Sequence, residues 1–181
     1  PDGPVAASSD GSLMYFIGDG RVFRSESRGC DAEEVVLQEG YVGVDVLFWR
    51  QAFWLLTARP DGGGGLVRLA RASVLPLAVW DPFIPDAMLP EGGDHLWVTG
   101  AEPQVEVRRL SLAGGLAGDE PLTGLPADAA DVERIEPVAA QDGEVWLRLT
   151  RGTVTWAWHG LLADDGSVRF SDVAARGRTF Y

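Results

Sequence analysis

Two histidines, one pair of adjacent arginines and several runs of carboxylates are the residues of this chain whose types could do chemistry. His95 and His159 stand 64 residues apart, and no second His or Cys lies within the spacing that zinc ligands use. The carboxylates of Glu33-Glu34, Asp119-Glu120, residues 128–133 and Asp164-Asp165 could act as the acid and base of glycoside cleavage if two of them converged. Acidic runs between strands also read as solvated loop faces, and none has the spacing of an EF-hand calcium loop. No Gly-x-Ser-x-Gly elbow leads into a helix, so no serine has an assigned histidine partner. The sequence therefore assigns no catalytic, cofactor-binding or metal-binding residue, and the expectation is a protein without enzymatic activity.

Two further features fail the same test. Cys30, the one cysteine, sits in Ser27-Arg28-Gly29-Cys30-Asp31, where Arg28 would lower its thiol pKa. Without a second cysteine it closes no internal disulfide and reads as incidental. The glycine run 62–65 looks like a phosphate loop only until its continuation is read. Leu66-Val67-Arg68-Leu69-Ala70 is a strand, not a helix with Lys and Ser or Thr, so the run is expected to be a loose hairpin tip.

Charge narrows the partners. Fifteen basic residues against 27 acidic ones give a net charge of -12, a field that repels nucleic acid backbones and anionic membrane faces. All the basic residues are Arg, and the chain has no Lys and no Asn, the pattern of a GC-rich genome. No stretch approaches the roughly 18 to 20 apolar residues that span a bilayer, so the chain is expected to be soluble. It begins at Pro1 with neither Met nor an apolar leader, and reads as a processed chain or a portion of a longer one.

The elements that must position these residues are strands. Four times a polar or acidic turn runs into an aromatic-bearing strand, followed by a second strand that often carries Arg. The aromatics Tyr15, Trp54, Trp97 and Trp146 are 39, 43 and 49 residues apart, the spacing of one four-stranded propeller blade per unit. Gly18-Asp19-Gly20 is a hairpin turn between strands at 13–17 and 21–25. Residues 74–90, with Pro76, Pro82, Pro85 and Pro90, are expected to be an irregular crossing or a loop packed on the propeller face. A bulge is expected at Arg108-Arg109, a short strand near 121–125, a helical turn at 127–134, and a last hairpin around Asp164-Asp165-Gly166. The period predicts an all-β, propeller-like single domain with blade units at 1–41, 42–90, 91–134 and 135–181.

The stretch Asp10-Gly11-Ser12-Leu13-Met14-Tyr15-Phe16, followed by Gly20-Arg21-Val22-Phe23-Arg24, resembles the blades of secreted bacterial β-propellers, in which a DG-x-LYF strand precedes a G-x-V-x-R strand. Four units in a chain of this length are also similar to the hemopexin-like propeller, although one cysteine forbids that family's disulfide. Ser8-Ser9-Asp10-Gly11-Ser12 faintly resembles the structural Asp-box turns of sialidase-type propellers. The resemblance implies a fold and an extracytoplasmic location. The function expected from it is a non-catalytic binding or scaffold module that recognises protein partners through loops and exposed aromatics on one face, with no cofactor. The expected anchors are Trp80, Phe83, Trp156 and Trp158, with Arg108 and Arg109 at the rim. An accessory subunit of a larger membrane-associated complex and a glycan-active enzyme are the alternatives.

Overall fold

The computed structural model describes residues 3–26, 31–70, 73–113, 121–122, 125, 129, 131–164 and 167–172. Among them the fold is all-β and propeller-like, with four antiparallel sheets in which strands follow one another in sequence order. Sheet 1 holds β1 (Val5–Ala7), β2 (Leu13–Gly18), β3 (Arg21–Glu26) and β4 (Ala32–Val35). Sheet 2 holds β5 (Val42–Trp49), β6 (Ala52–Ala58), β7 (Gly64–Ala70) and β8 (Ser73–Trp80). Sheet 3 holds β9 (Ala87–Pro90), β10 (His95–Gly100) and β11 (Glu106–Ser111), and sheet 4 holds β12 (Arg134–Gln141), β13 (Glu144–Arg151), β14 (Val154–Leu162) and β15 (Val168–Asp172). The chain forms two compact units, Pro1–Pro85 with sheets 1 and 2 and Asp86–Tyr181 with sheets 3 and 4.

The repeat seen in the sequence has a structural meaning that spacing alone does not give. In each sheet the repeat aromatic lies directly across a hairpin from a basic or imidazole side chain: Tyr15 opposite Arg24, Trp54 opposite Arg68, Trp97 opposite Arg109 and Trp146 opposite His159. Cross-strand neighbours on one face are the unit of sheet stabilisation, and a flat ring beside a cation is a favourable pair. The Arg109 guanidinium lies 5.9 Å from the Trp97 ring centroid, and the His159 ring stacks on Trp146 at 4.3 Å. Short turns hold these registers. Asp19-Gly20, Arg50-Gln51 and Asp142-Gly143 all have both φ angles positive, the backbone of the tightest hairpins.

Each unit buries its own core. In unit 1 the inner face of sheet 1 (Tyr15, Ile17, Val22) packs on the inner face of sheet 2 (Phe53, Leu55, Val67, Leu69), with the Tyr15 and Phe53 rings 4.6 Å apart. In unit 2, Trp97 and Val107 of sheet 3 share one apolar cluster with Val145, Leu147, Leu149 and Trp158 of sheet 4. Thr99 adds a buried polar stitch there, its Oγ1 donating to the Ile135 carbonyl at 2.7 Å.

Three expectations need correction. Residues 74–90 are mostly strand: β8 carries Pro76, and β9 ends at Pro90. Both are end strands of their sheets, so a missing N–H on the unpaired side costs no ladder bond. The register of β8 also shifts at Leu66/Val67, which leaves Leu77 without an opposite residue. At Arg108-Arg109 there is no bulge, since β10 and β11 pair without a break from His95↔Ser111 to Gly100↔Glu106. The glycine run is not a loose tip. Gly64 and Gly65 open β7 and are buried, because a Cβ on Gly64 would stand 2.4 Å from Pro85 Cδ and one on Gly65 would stand 2.6 Å from the Ala78 carbonyl oxygen. These glycines admit backbone at a distance no side chain tolerates. Cys30, the turn at Asp165-Gly166 and most of 114–130 lie outside the described residues, although the Leu122 N–H donates to the Val107 carbonyl on β11.

Candidate functional site

The six side chains expected at the surface are placed as follows. Trp80 and Phe83 are 4% and 1% exposed and meet edge to face at 5.4 Å. Trp158 is fully buried in the unit 2 core. These three are corrected from exposed anchors to buried residues: Trp80 and Trp158 point to the buried face of their sheets, and Phe83, in the β8–β9 connection, packs its ring against Trp80. Trp156 lies two residues away on the same face, as the strand period requires, and is half-buried under the Arg151 guanidinium at 5.7 Å. Arg108 pairs with Glu106 at 2.6 Å, and both side chains are nearly buried. Arg109 is likewise held inside, so neither arginine is a free rim cation.

What holds Arg109 is Glu91, a residue the sequence reading passed over. Its carboxylate is 2% exposed. Oε2 accepts from Arg109 Nε at 2.7 Å and from Trp97 Nε1 at 2.8 Å, while Oε1 accepts from Arg109 Nη2 at 3.1 Å and from the Gly143 backbone N–H at 2.6 Å. Burial pushes this carboxyl up, but the bonds from Arg109, Gly143 and Trp97 outweigh it and keep it below its ordinary value. The result is a two-pronged ion pair that also ties the β9–β10 turn to the β12–β13 turn. Above it opens a cleft whose lining includes Asp94, His95, Ser111, Asp142 and Leu162. A Glu beside Gly92-Gly93, just ahead of the repeat Trp, was the signal in the sequence that could have found it.

Unit 1 has a groove in the corresponding place, lined by Ser8, Asp10, Ser12, Phe48, Gln51 and Arg68 among others. Its one perturbed carboxyl is Asp10, whose Oδ1 accepts from Ser8 Oγ at 2.7 Å, Ser12 N at 3.0 Å and Ser12 Oγ at 2.8 Å. The Ser8 hydroxyl, then the Ser12 amide and hydroxyl, hold it down to about 2. That turn is a knot of local bonds.

Three of the exposed apolar side chains of unit 1 lie on the end strand of sheet 2. Leu75, Leu77 and Val79 of β8 are 47%, 41% and 63% exposed. Beside them is an apolar recess lined by Leu37, Tyr41, Val67, Val74, Pro76 and Val79. This end strand thus leaves apolar side chains and one row of backbone groups uncovered beside a recess. Among the described residues no three His, Cys, Asp or Glu side chains converge as metal ligands, and no helix is long and apolar enough to cross a membrane.

No protein-family model and no curated protein matches the sequence. Solved structures do match the fold. Virginiamycin B lyase from Staphylococcus aureus superposes with a TM-score of 0.63 at 13% identity, over 94% of this chain and 55% of that one. Dipeptidyl peptidase 4 from Porphyromonas gingivalis gives 0.58 at 9% identity, over 93% and 30%. Puromycin hydrolase gives 0.59 at 13%, over 91% and 27%. The chain thus spans about half of the first and less than a third of the other two. At such identities the likeness shows a propeller-type fold and no more. It also corrects the expectation of a protein without enzymatic activity: these folds belong to a lyase, a peptidase and a hydrolase, so neither architecture nor missing motifs excludes catalysis.

Proposed function

We propose that the chain is a protein-binding module whose contact surface is the outer strand of sheet 2. The observation that carries this is the exposure of Leu75, Leu77 and Val79 beside the apolar recess at Tyr41, Val74 and Pro76. Apolar side chains on an end strand offer both a surface to cover and unpaired backbone to extend. The aromatic anchors expected from the sequence give way to these aliphatic ones, and loop recognition gives way to strand recognition. The blade phrasing around Tyr15 supports a module of the secreted bacterial type, working outside the cytoplasm. The charge of -12 favours a basic or neutral protein partner over nucleic acid.

A photo-crosslinking residue in place of Leu77 should capture the partner in the source organism, and Val79→Glu should abolish that capture without changing the far-ultraviolet circular dichroism. Capture that persists undiminished in Val79→Glu, or that is equally strong from Val138, which is 51% exposed on sheet 4, overturns the reading.

A second reading is favoured by one place alone. Asp94, His95 and Asp142 line a single cleft over the fixed Arg109 guanidinium, which supplies carboxylates, an imidazole and a nearby cation for hydrolysis or elimination on a glycan. Turnover of a polysaccharide panel that is lost in both Asp94→Asn and Asp142→Asn would establish it, and turnover unchanged from that of the unsubstituted chain in both would end it.

A further inference from the structure

We propose that the outer face of sheet 1 is a self-association face, which docks the same face of a second copy of this chain across a twofold axis. It is a different surface from the β8 strand and stands independently of it.

Phe16 follows the repeat aromatic of sheet 1 and lies opposite Phe23. In sheet 2 the corresponding pair is Leu55 and Val67, and in sheet 4 it is Leu147 and Trp158. Those four side chains are 0%, 7%, 0% and 0% exposed, and each pair forms the face on which a neighbouring sheet packs. In sheet 1 the same positions carry two phenyl rings, stacked at 5.2 Å and only half-buried. On the same face Val5 is 57% exposed and Met14 is 36% exposed. The face therefore has the composition and register of a sheet-to-sheet contact, without a sheet on it among the described residues.

The occupant follows from charge. The outer face of sheet 4 is not an apolar complement: Arg148 and Arg134 both pair with Glu136 there, and Glu144 pairs with His159 at 3.3 Å. Ionic paving of that kind belongs to a solvated terminal face. On the outer face of sheet 1 Arg21 pairs with Glu34, their side chains 60% and 43% exposed beside the phenyl pair, while the pair of Arg24 with Glu33 lies on the Tyr15 face. A twofold axis through Phe16 and Phe23 sets Arg21 of each copy against Glu34 of the other. The rim is thus complementary to itself, as a twofold contact requires, and locally neutral despite the charge of -12 on each chain.

Sedimentation equilibrium of the full chain should show a concentration-dependent species of twice 19.4 kDa, tightening as added salt screens the repulsion between acidic copies. Phe23→Glu should leave a folded monomer, and Trp146→Glu on sheet 4 should leave the dimer intact. Arg21→Glu and Glu34→Arg should each weaken self-association, and the two variant chains should pair with one another when mixed, which a role confined within one chain would not produce. A monomer at every concentration overturns the proposal. So does a dimer indifferent to Phe23→Glu, or one broken by Trp146→Glu, which would be head to tail.

Discussion

The two units place the same tryptophan–arginine pair at the same point and anchor it by different means. In unit 1 the Trp54 indole donates to the Trp49 backbone carbonyl at 2.9 Å, and Arg68 opposite it is exposed. In unit 2 the Trp97 indole donates to Glu91, which also grips Arg109 and the next sheet's turn at Gly143. The first arrangement is local, and its sheets adhere through apolar side chains. The second is a buried charge that binds two sheets together, so it is strong only while complete. A repeat can therefore keep its fold signature while shifting from neutral to ionic cohesion, and the shift is invisible in the spacing of the aromatics.

The sharpest way to break the contrast is to remove the carboxylate. Glu91→Ala leaves Arg109 buried without its partner and should cost roughly 3 to 5 kcal/mol. Chemical denaturation gives the loss, and hydrogen exchange at Gly143 and Trp97 locates it in unit 2. A loss below about 1 kcal/mol would mean that water replaces the carboxylate at no penalty, as for a surface ion pair.

Next in size is a pH effect confined to unit 2. Asp86 sits at the start of sheet 3, and its Oδ2 accepts from the Ala101 backbone N–H at 3.0 Å. Burial raises its carboxyl to about 6, against the pull of the Ile135 and Ala101 N–H groups. The folded state thus holds this proton more tightly than the unfolded chain, whose Asp titrates near 4. The stability it contributes is complete below about pH 4 and is lost as the pH rises through 6. Asp86→Asn should abolish that slope, measured as the difference between the two proteins' denaturation midpoints across this range. Parallel pH curves for the two would show that Asp86 does not titrate there.

A smaller effect separates the turns. Arg50 and Gln51 hold φ of 52° and 60° without a glycine, whereas the turn of sheet 4 uses Asp142-Gly143. A left-handed residue other than glycine costs roughly 1 to 2 kcal/mol, so Gln51→Gly should stabilise unit 1 by about 1 kcal/mol. The reverse change, Gly143→Gln, should destabilise unit 2, since its Cβ would also stand 3.3 Å from Leu162 Cβ. Thermal denaturation of both variants reads the two signs, and equal signs would refute the comparison.

The fold was legible because its signal is periodic. Tyr15, Trp54, Trp97 and Trp146 mark each sheet, and strand alternation placed Trp156 and Trp158 on one face with His159 on the other. What escaped was burial at the scale of the unit. Trp80 and Phe83 sit among prolines and look like a loop, yet β8 runs to Trp80, and the two rings close on each other inside. Glu91 was missed for a related reason: its four donors come from residues 18, 6 and 52 positions away, and only the fold brings them to one carboxylate. Leu75, Leu77 and Val79 were readable as alternating apolar residues, but the proline at 76 argued against a strand until β8 proved to be at the end of its sheet.

The smallest predicted effect returns to unit 1 and opposes the slope of Asp86. Asp10 is fully exposed, and its bonds from Ser8 and Ser12 hold it down to about 2. Its ionised form is favoured by folding, so its contribution is complete above the unfolded value near 4 and fades as the pH falls toward 2. Acidification from neutrality to pH 4 should therefore stabilise unit 2 through Asp86 while leaving the Asp10 turn unchanged, and only further acid should loosen that turn. Exchange of the Ser12 amide, which donates to Asp10, reports the turn without interference from the rest of the chain. If Ser12 loses protection between pH 6 and 4, Asp10 is protonated at an ordinary carboxylate pH, and the serine bonds do not hold it as the geometry requires.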